Sequence, residues 1–91
     1  MKSHSVFCIS DHTGVTVEAV AKSVLAQFPS LEFSLTALPF IDSPEKAQAA
    51  ATQIAATPDA LVFSTLSDPA LRAILHDSRA NLFDIFGLVV P

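Results

Sequence analysis

Val6-Phe7-Cys8-Ile9-Ser10-Asp11-His12-Thr13-Gly14-Val15-Thr16-Val17-Glu18 decides the fold. Four consecutive apolar residues, Val6 to Ile9, form the kind of run that is buried on both faces of a sheet. Ser10-Asp11 ends that run, Thr13-Gly14 turns the chain, and a helical pattern follows at once. Its apolar positions are Val17, Val20, Ala21, Val24, Leu25 and Phe28, spaced by three and four as on one face of a helix. Glu18, Lys22 and Gln27 fall off that stripe, and Pro29 is expected to stop the helix. A strand that turns through hydroxyls and a carboxylate into a helix places polar groups beside free backbone N–H groups.

The same alternation continues outward. Leu31 to Phe40 reads as a second strand. Phe33, Leu35 and Ala37 alternate there with Glu32, Ser34 and Thr36, which predicts a strand near a sheet edge. Ser43-Pro44-Glu45 starts a second helix with a cap, a proline at the first helical position and an acid in the first turn. Its stripe is Ala47, Ala50, Ala51, Ile54 and Ala55. Pro58-Asp59 is a turn, and Ala60 to Leu66 a third strand centred on Leu61-Val62-Phe63. Asp68-Pro69 opens a third helix with Leu71, Ile74 and Leu75 as its core face, running out near Ser78 to Asn81. Leu82 to Val90 contains a fourth strand.

The order β-α-β-α-β-α-β predicts an α/β fold. Three layers are expected, with a parallel sheet of about four strands, helices on both faces and strand order 2-1-3-4, as in half of a Rossmann-like domain. In such a sheet the carboxyl ends of all strands share one rim, where ligands bind. Ser10, Asp11 and Thr13, then Asp42 and Ser43, then Ser64, Thr65, Ser67 and Asp68 should meet there. Thr13, Ser43 and Asp68 are each placed to cap a helix, and capping alone accounts for Ser43 and Asp68. The first turn has more polar groups than a cap needs. It also holds Gly14, one of two glycines in the chain, which permits a positive φ or a close approach. Ser10, Asp11, Thr13, Gly14 and Thr16 are therefore the candidate ligand- or partner-binding residues.

The 91 residues allow one domain with a modest core, and 51% hydrophobic content excludes disorder. Nine acids against five bases, net −4, exclude a basic nucleic-acid face. No run approaches the roughly 20 apolar residues of a membrane span, and the start is too short for a signal peptide. A cytoplasmic location is expected. Cys8 lies within an apolar strand and reads as a buried small hydrophobe, with no basic neighbour to activate it. His12 is in the polar turn but has no evident partner, and His4 and His76 read as surface residues. No Cys/His spacing suggests zinc and the carboxylates are scattered, so no metal site is expected; a Gly-x-Gly-x-x-Gly fingerprint and a Gly-x-x-x-x-Gly-Lys-Ser/Thr loop are also missing from the sequence. The apolar ending Leu88-Val89-Val90-Pro91 points to a truncated N-terminal piece of a longer protein, or to a surface hidden in a homodimer.

Several stretches together resemble a known family. They are Val6-Phe7 with Ile9-Ser10-Asp11, Thr13-Gly14-Val15-Thr16 and Glu18; Ser23 to Phe28; Leu38-Pro39-Phe40-Ile41-Asp42; Leu61 to Leu66; Arg72 to Leu75; and Asp84-Ile85-Phe86-Gly87. In order and rough spacing they are similar to the N-terminal part of the pyruvate, phosphate dikinase / phosphoenolpyruvate synthase regulatory proteins. The Gln27-Phe28 and Pro39-to-Asp42 pieces lean toward the phosphoenolpyruvate synthase branch. One position departs, since the family has a small residue, often Gly, where His12 stands.

The resemblance implies a bifunctional regulator. It is a Ser/Thr kinase that uses ADP to inactivate a dikinase by phosphorylating a threonine, and a pyrophosphorylase that reverses this with inorganic phosphate. The expected partner is phosphoenolpyruvate synthase or pyruvate, phosphate dikinase. The family's ADP and phosphate act at a P-loop in a C-terminal domain, and no position here matches it. The resemblance thus assigns no catalytic residue and no cofactor to this chain, which is expected to be inactive alone. The rival reading is a stand-alone α/β module that binds a phosphorylated metabolite at the first turn. A third is that the turn hydroxyls are only caps.

Overall fold

The computed structural model describes residues 3–76 and 81–84. Strand β1 (Ser3–Ile9) leads into helix α1 (Val15–Leu25), then β2 (Glu32–Leu38), α2 (Pro44–Ala55), β3 (Leu61–Ser64), α3 (Pro69–His76) and β4 (Asn81–Asp84). All pairings are parallel, and the strand order is β2-β1-β3-β4. The expected α/β fold and strand order hold. The expected stretch of the fourth strand beyond Asp84 lies outside the described residues.

The central position of β1 explains its uninterrupted apolar run. Val6 and Cys8 pack with Val17, Ala21 and Leu25 of α1 and with Phe63. Phe7 and Ile9 point the other way, into a larger core with Ala47, Ala50, Ala51 and Ile54 of α2 and Leu71 and Leu75 of α3. Neighbouring side chains of one strand thus serve opposite layers, as the period of two requires. The alanine stripe of α2 lets that helix pack closely against the sheet and α3. Each fully buried Val, Leu or Ile here contributes about 1.5–3 kcal/mol relative to exposure.

Three expectations need amending. Helix α1 ends at Leu25, before the Pro29 expected to stop it. Its last turn closes through Ala26 N–H to the Lys22 carbonyl, and Phe28 lies beyond, half exposed. Strand β2 is at the edge as expected, but its apolar face is thinly covered. Phe33 is half-buried, whereas Leu35 and Ala37 are exposed. The short α1 covers β1 and β3 more fully than it covers the edge. His4 is no free surface residue either, because it stacks obliquely on Phe33 with ring centroids 5.8 Å apart.

Candidate functional site

The expected rim exists, and hydrogen bonds tie its parts together. Ser10 N–H donates to the Leu38 carbonyl at 3.2 Å, and Ile41 N–H donates to the Ser10 carbonyl at 2.9 Å. These bonds fasten the end of β1 to the loop after β2. On the other side, Thr65 N–H donates to the Ile9 carbonyl at 3.0 Å. The Ser67 hydroxyl donates to Asp11 Oδ2 at 2.9 Å, joining turns 56 residues apart in sequence. Ser67 N–H reaches the same oxygen at 3.5 Å.

Ser10 is buried, and its Oγ accepts from His12 N–H at 3.0 Å. The hydroxyl thus stands in for a backbone acceptor and folds the turn on itself. Gly14 follows with φ 89° and ψ 4°, a left-handed conformation that glycine adopts without a Cβ penalty. Gly14 is also the N-cap of α1, so the expectation that Thr13 caps this helix is incorrect. No side chain caps it. A glycine cap has no side-chain oxygen to offer, and the first N–H groups of α1 keep their capacity for another acceptor. At Ser43 and Asp68 the expected capping is found. Ser43 Oγ accepts from Lys46 N–H at 3.3 Å, and Asp68 Oδ1 from Ala70 N–H at 2.9 Å.

A cleft of about 110 Å³ opens over this turn, lined by Ser10, Asp11, His12, Thr13, Gly14, Val15, Thr16 and Thr65. All five sequence candidates are in that lining. The sequence places Thr65 on the rim without making it a site candidate, and the lining adds it together with His12 and Val15. Asp42 and Ser43 do not line the cleft. Asp42 instead accepts from Lys46 Nζ at 2.9 Å, and that ammonium holds its carboxyl below the usual carboxylate range.

Among the described residues no lysine or arginine lines the cleft. The Asp11 carboxylate is mostly covered, while the His12 ring beside it is 88% exposed. His12 Nε2 is 3.7 Å from Asp11 Oδ1, an ion-pair distance only if the ring is protonated, and too long for a good hydrogen bond. Among the described residues no group of three or more His, Cys, Asp or Glu could hold a metal ion. None of their helices is long and apolar enough to cross a membrane.

Sequence reasoning missed Phe40. Its φ is 59°, unusual for a bulky residue, and its side chain is 54% exposed. Phe40 N–H donates to the His12 carbonyl at 2.9 Å, so the strained residue braces the polar turn. Nothing in the local sequence marks a phenylalanine for this backbone, because the cause is a hydrogen bond to a distant turn.

At the carboxyl edge of a parallel sheet, a polar cleft at the start of the first helix is where doubly wound α/β proteins bind their ligands. The chain belongs to the Kinase/pyrophosphorylase family, whose sequence pattern it matches over residues 6–91. It is 63% identical over its whole length to a protein of Thiobacillus denitrificans that has the provisional name phosphoenolpyruvate synthase regulatory protein. Proteins with the same provisional name in Acinetobacter baumannii and Hahella chejuensis are 42% and 40% identical, over 93% and 91% of this chain. The chain spans about one third of the length of these relatives, from 32% to 35%.

Proposed function

We propose that this chain is the N-terminal domain of a bifunctional regulator of phosphoenolpyruvate synthase. The whole protein would be an ADP-dependent Ser/Thr kinase and a phosphate-dependent pyrophosphorylase that switches its target through a threonine. It would act in the cytoplasm, with the phosphate-transferring P-loop in a C-terminal domain. The family membership, with 63% identity to a protein of that provisional name, carries this reading. Within that division of labour, residues 1–91 supply recognition rather than chemistry.

The cleft supports such a role on physical grounds. Phosphoryl transfer needs cationic or metal clamps around the phosphates. Here the cleft offers the opposite sign, a carboxylate at Asp11, with no lysine or arginine in its lining among the described residues. Uncapped N–H groups of α1 present donors on one side, and Asp11 an acceptor on the other. That pairing suits a group able both to donate and to accept, such as a hydroxyl or backbone amide of a protein segment. A free phosphate would meet the helix start favourably and the carboxylate unfavourably.

The test has two arms. In the first, the 91-residue chain is incubated with phosphoenolpyruvate synthase and ADP; no phosphothreonine should appear, and clear turnover would refute the division of labour. In the second, backbone NMR shifts are followed during titration with phosphoenolpyruvate synthase and, separately, with phosphate, ADP and pyrophosphate. Shifts at Asp11 to Thr16 with the enzyme alone fit recognition. The same shifts with the small anions alone would establish the stand-alone metabolite-binding module instead.

A further inference from the structure

Phe40 is an ill-suited residue for its backbone, and the mismatch is informative. Its φ of 59° lies in the left-handed region, which glycine or asparagine takes at lower cost. The twist itself serves the fold. Phe40 N–H donates to the His12 carbonyl and Ile41 N–H to the Ser10 carbonyl, each at 2.9 Å, and Ile41 enters the core shared with α2 and α3. Both bonds are made by main-chain groups, so a smaller residue would keep them. The phenyl ring is half exposed and, among the described residues, belongs to neither apolar core. A bulky apolar side chain kept at a strained position, and left largely in solvent, is better explained by what it meets than by what it supports.

The place of Phe40 on the sheet says what it meets. The strand order β2-β1-β3 puts Phe40, which follows β2, on one side of the first turn, and Thr65 and Ser67, which follow β3, on the other. The carbonyl that Phe40 N–H bonds belongs to His12, a residue of the cleft lining. The same lining includes Val15, 71% exposed at the start of α1. Polar groups fit for a hydroxyl or an amide are thus set beside exposed apolar ones. The charged residues next along the chain, Asp42 and Lys46, pair with each other at 2.9 Å, so this flank of the rim presents no net charge.

We infer that Phe40 anchors a docking surface for a protein segment, which puts a hydroxyl or backbone amide into the cleft and rests an apolar side chain on the Phe40 ring. This deepens the recognition role proposed above and rests on it, with phosphoenolpyruvate synthase as the protein that supplies the segment. An aromatic ring buries a large apolar area for the loss of only two torsions, and such rings dominate the energetics of protein contacts. A small anion would gain nothing from it.

The experiment measures binding of the 91-residue chain to phosphoenolpyruvate synthase by isothermal titration, with Phe40→Asn and Phe28→Asn variants beside the parent. Asparagine tolerates the left-handed backbone, so Phe40→Asn should keep the urea midpoint of the parent or raise it, while binding weakens by roughly tenfold or more. Phe28 is similarly exposed but lies at the other end of the sheet, and Phe28→Asn should bind within about twofold of the parent. The ratio between parent and Phe40→Asn should persist at high salt, because an apolar contact is not screened. Equal binding by parent and Phe40→Asn would overturn the anchor and leave the recognition role standing. A parent chain that does not bind the enzyme at all would overturn both. The anchor would also fall if Phe40→Asn lowered the urea midpoint in step with binding, if Phe28→Asn weakened binding as much, or if the ratio vanished at high salt.

Discussion

The two ends of this sheet are opposites. At the carboxyl end of the strands, Ser10, Asp11, Thr65 and Ser67 make a polar rim held by side-chain hydrogen bonds. At the amino end, Val24, Leu25, Phe28, Leu31, Phe33, Leu61 and Phe63, with His4 and Asp59, line an apolar groove of about 390 Å³. Chain direction explains much of the contrast. In a parallel α/β fold every strand ends where a helix begins, so the donors of all helix starts gather at one edge and attract hydroxyls and carboxylates. Helix ends and strand starts gather at the other, where α1 stops short and leaves Val24 and Phe28 uncovered. The polar rim is therefore partly a consequence of folding, and only what exceeds capping speaks for function. Asp11 bonded to Ser67, and a helix start left uncapped, are that excess.

Three measurements break or sharpen this contrast. The largest effect is expected at the floor of the apolar groove. Phe63 is 2% exposed, packed against α1, and Phe63→Ala should cost about 3–5 kcal/mol in urea denaturation. Phe28→Ala, on the outer wall, should change the stability of a single chain by about 0.5 kcal/mol or less. Equal losses at both would mean that the wall belongs to the core and is not a free surface. At the polar end, Gly14→Ala should cost about 1–2 kcal/mol through the backbone alone. A Cβ there would meet only Val17 Cγ1, at 3.9 Å, so crowding cannot account for the loss. An unchanged unfolding midpoint would show that the turn relaxes easily.

The smallest effect belongs to the exposed Asp42–Lys46 pair. Lys46 lowers the folded pKa of Asp42, so the stabilisation is present above the unfolded carboxylate pKa and fades as pH falls through the folded value. Stability curves of the parent and Asp42→Asn should therefore differ slightly at neutral pH and converge in acid, below the ordinary carboxylate range. Curves that stay parallel throughout would mean that this pair is fully screened.

How far the sequence could be read depended on the range of the forces involved. The edge position of β2 and the caps at Ser43 and Asp68 follow from local patterning and turn chemistry, and the structure agrees; the strand order 2-1-3-4 also agrees, but it is a matter of pairing between distant segments that no local pattern dictates. Gly14 was also legible, since glycine is the residue suited to a left-handed turn. Thr13 was misread because Thr-Gly offers two adjacent capping residues, and side-chain preference alone favours threonine. The end of α1 was misread because the stripe continues to Phe28 while the helix closes four residues before Pro29. The Asp11–Ser67 bond, the twist at Phe40 and the apolar groove join residues distant in sequence, and no local pattern encodes them.

Phe40 has one more consequence. A left-handed phenylalanine stores on the order of 1–3 kcal/mol of backbone strain, and here the amides of Phe40 and Ile41 hold it in place against the first turn. The loop is thus a cocked latch. Any event that pried the turn open would release that tension, recovering part of the energy spent on opening, and the two loops should come apart together.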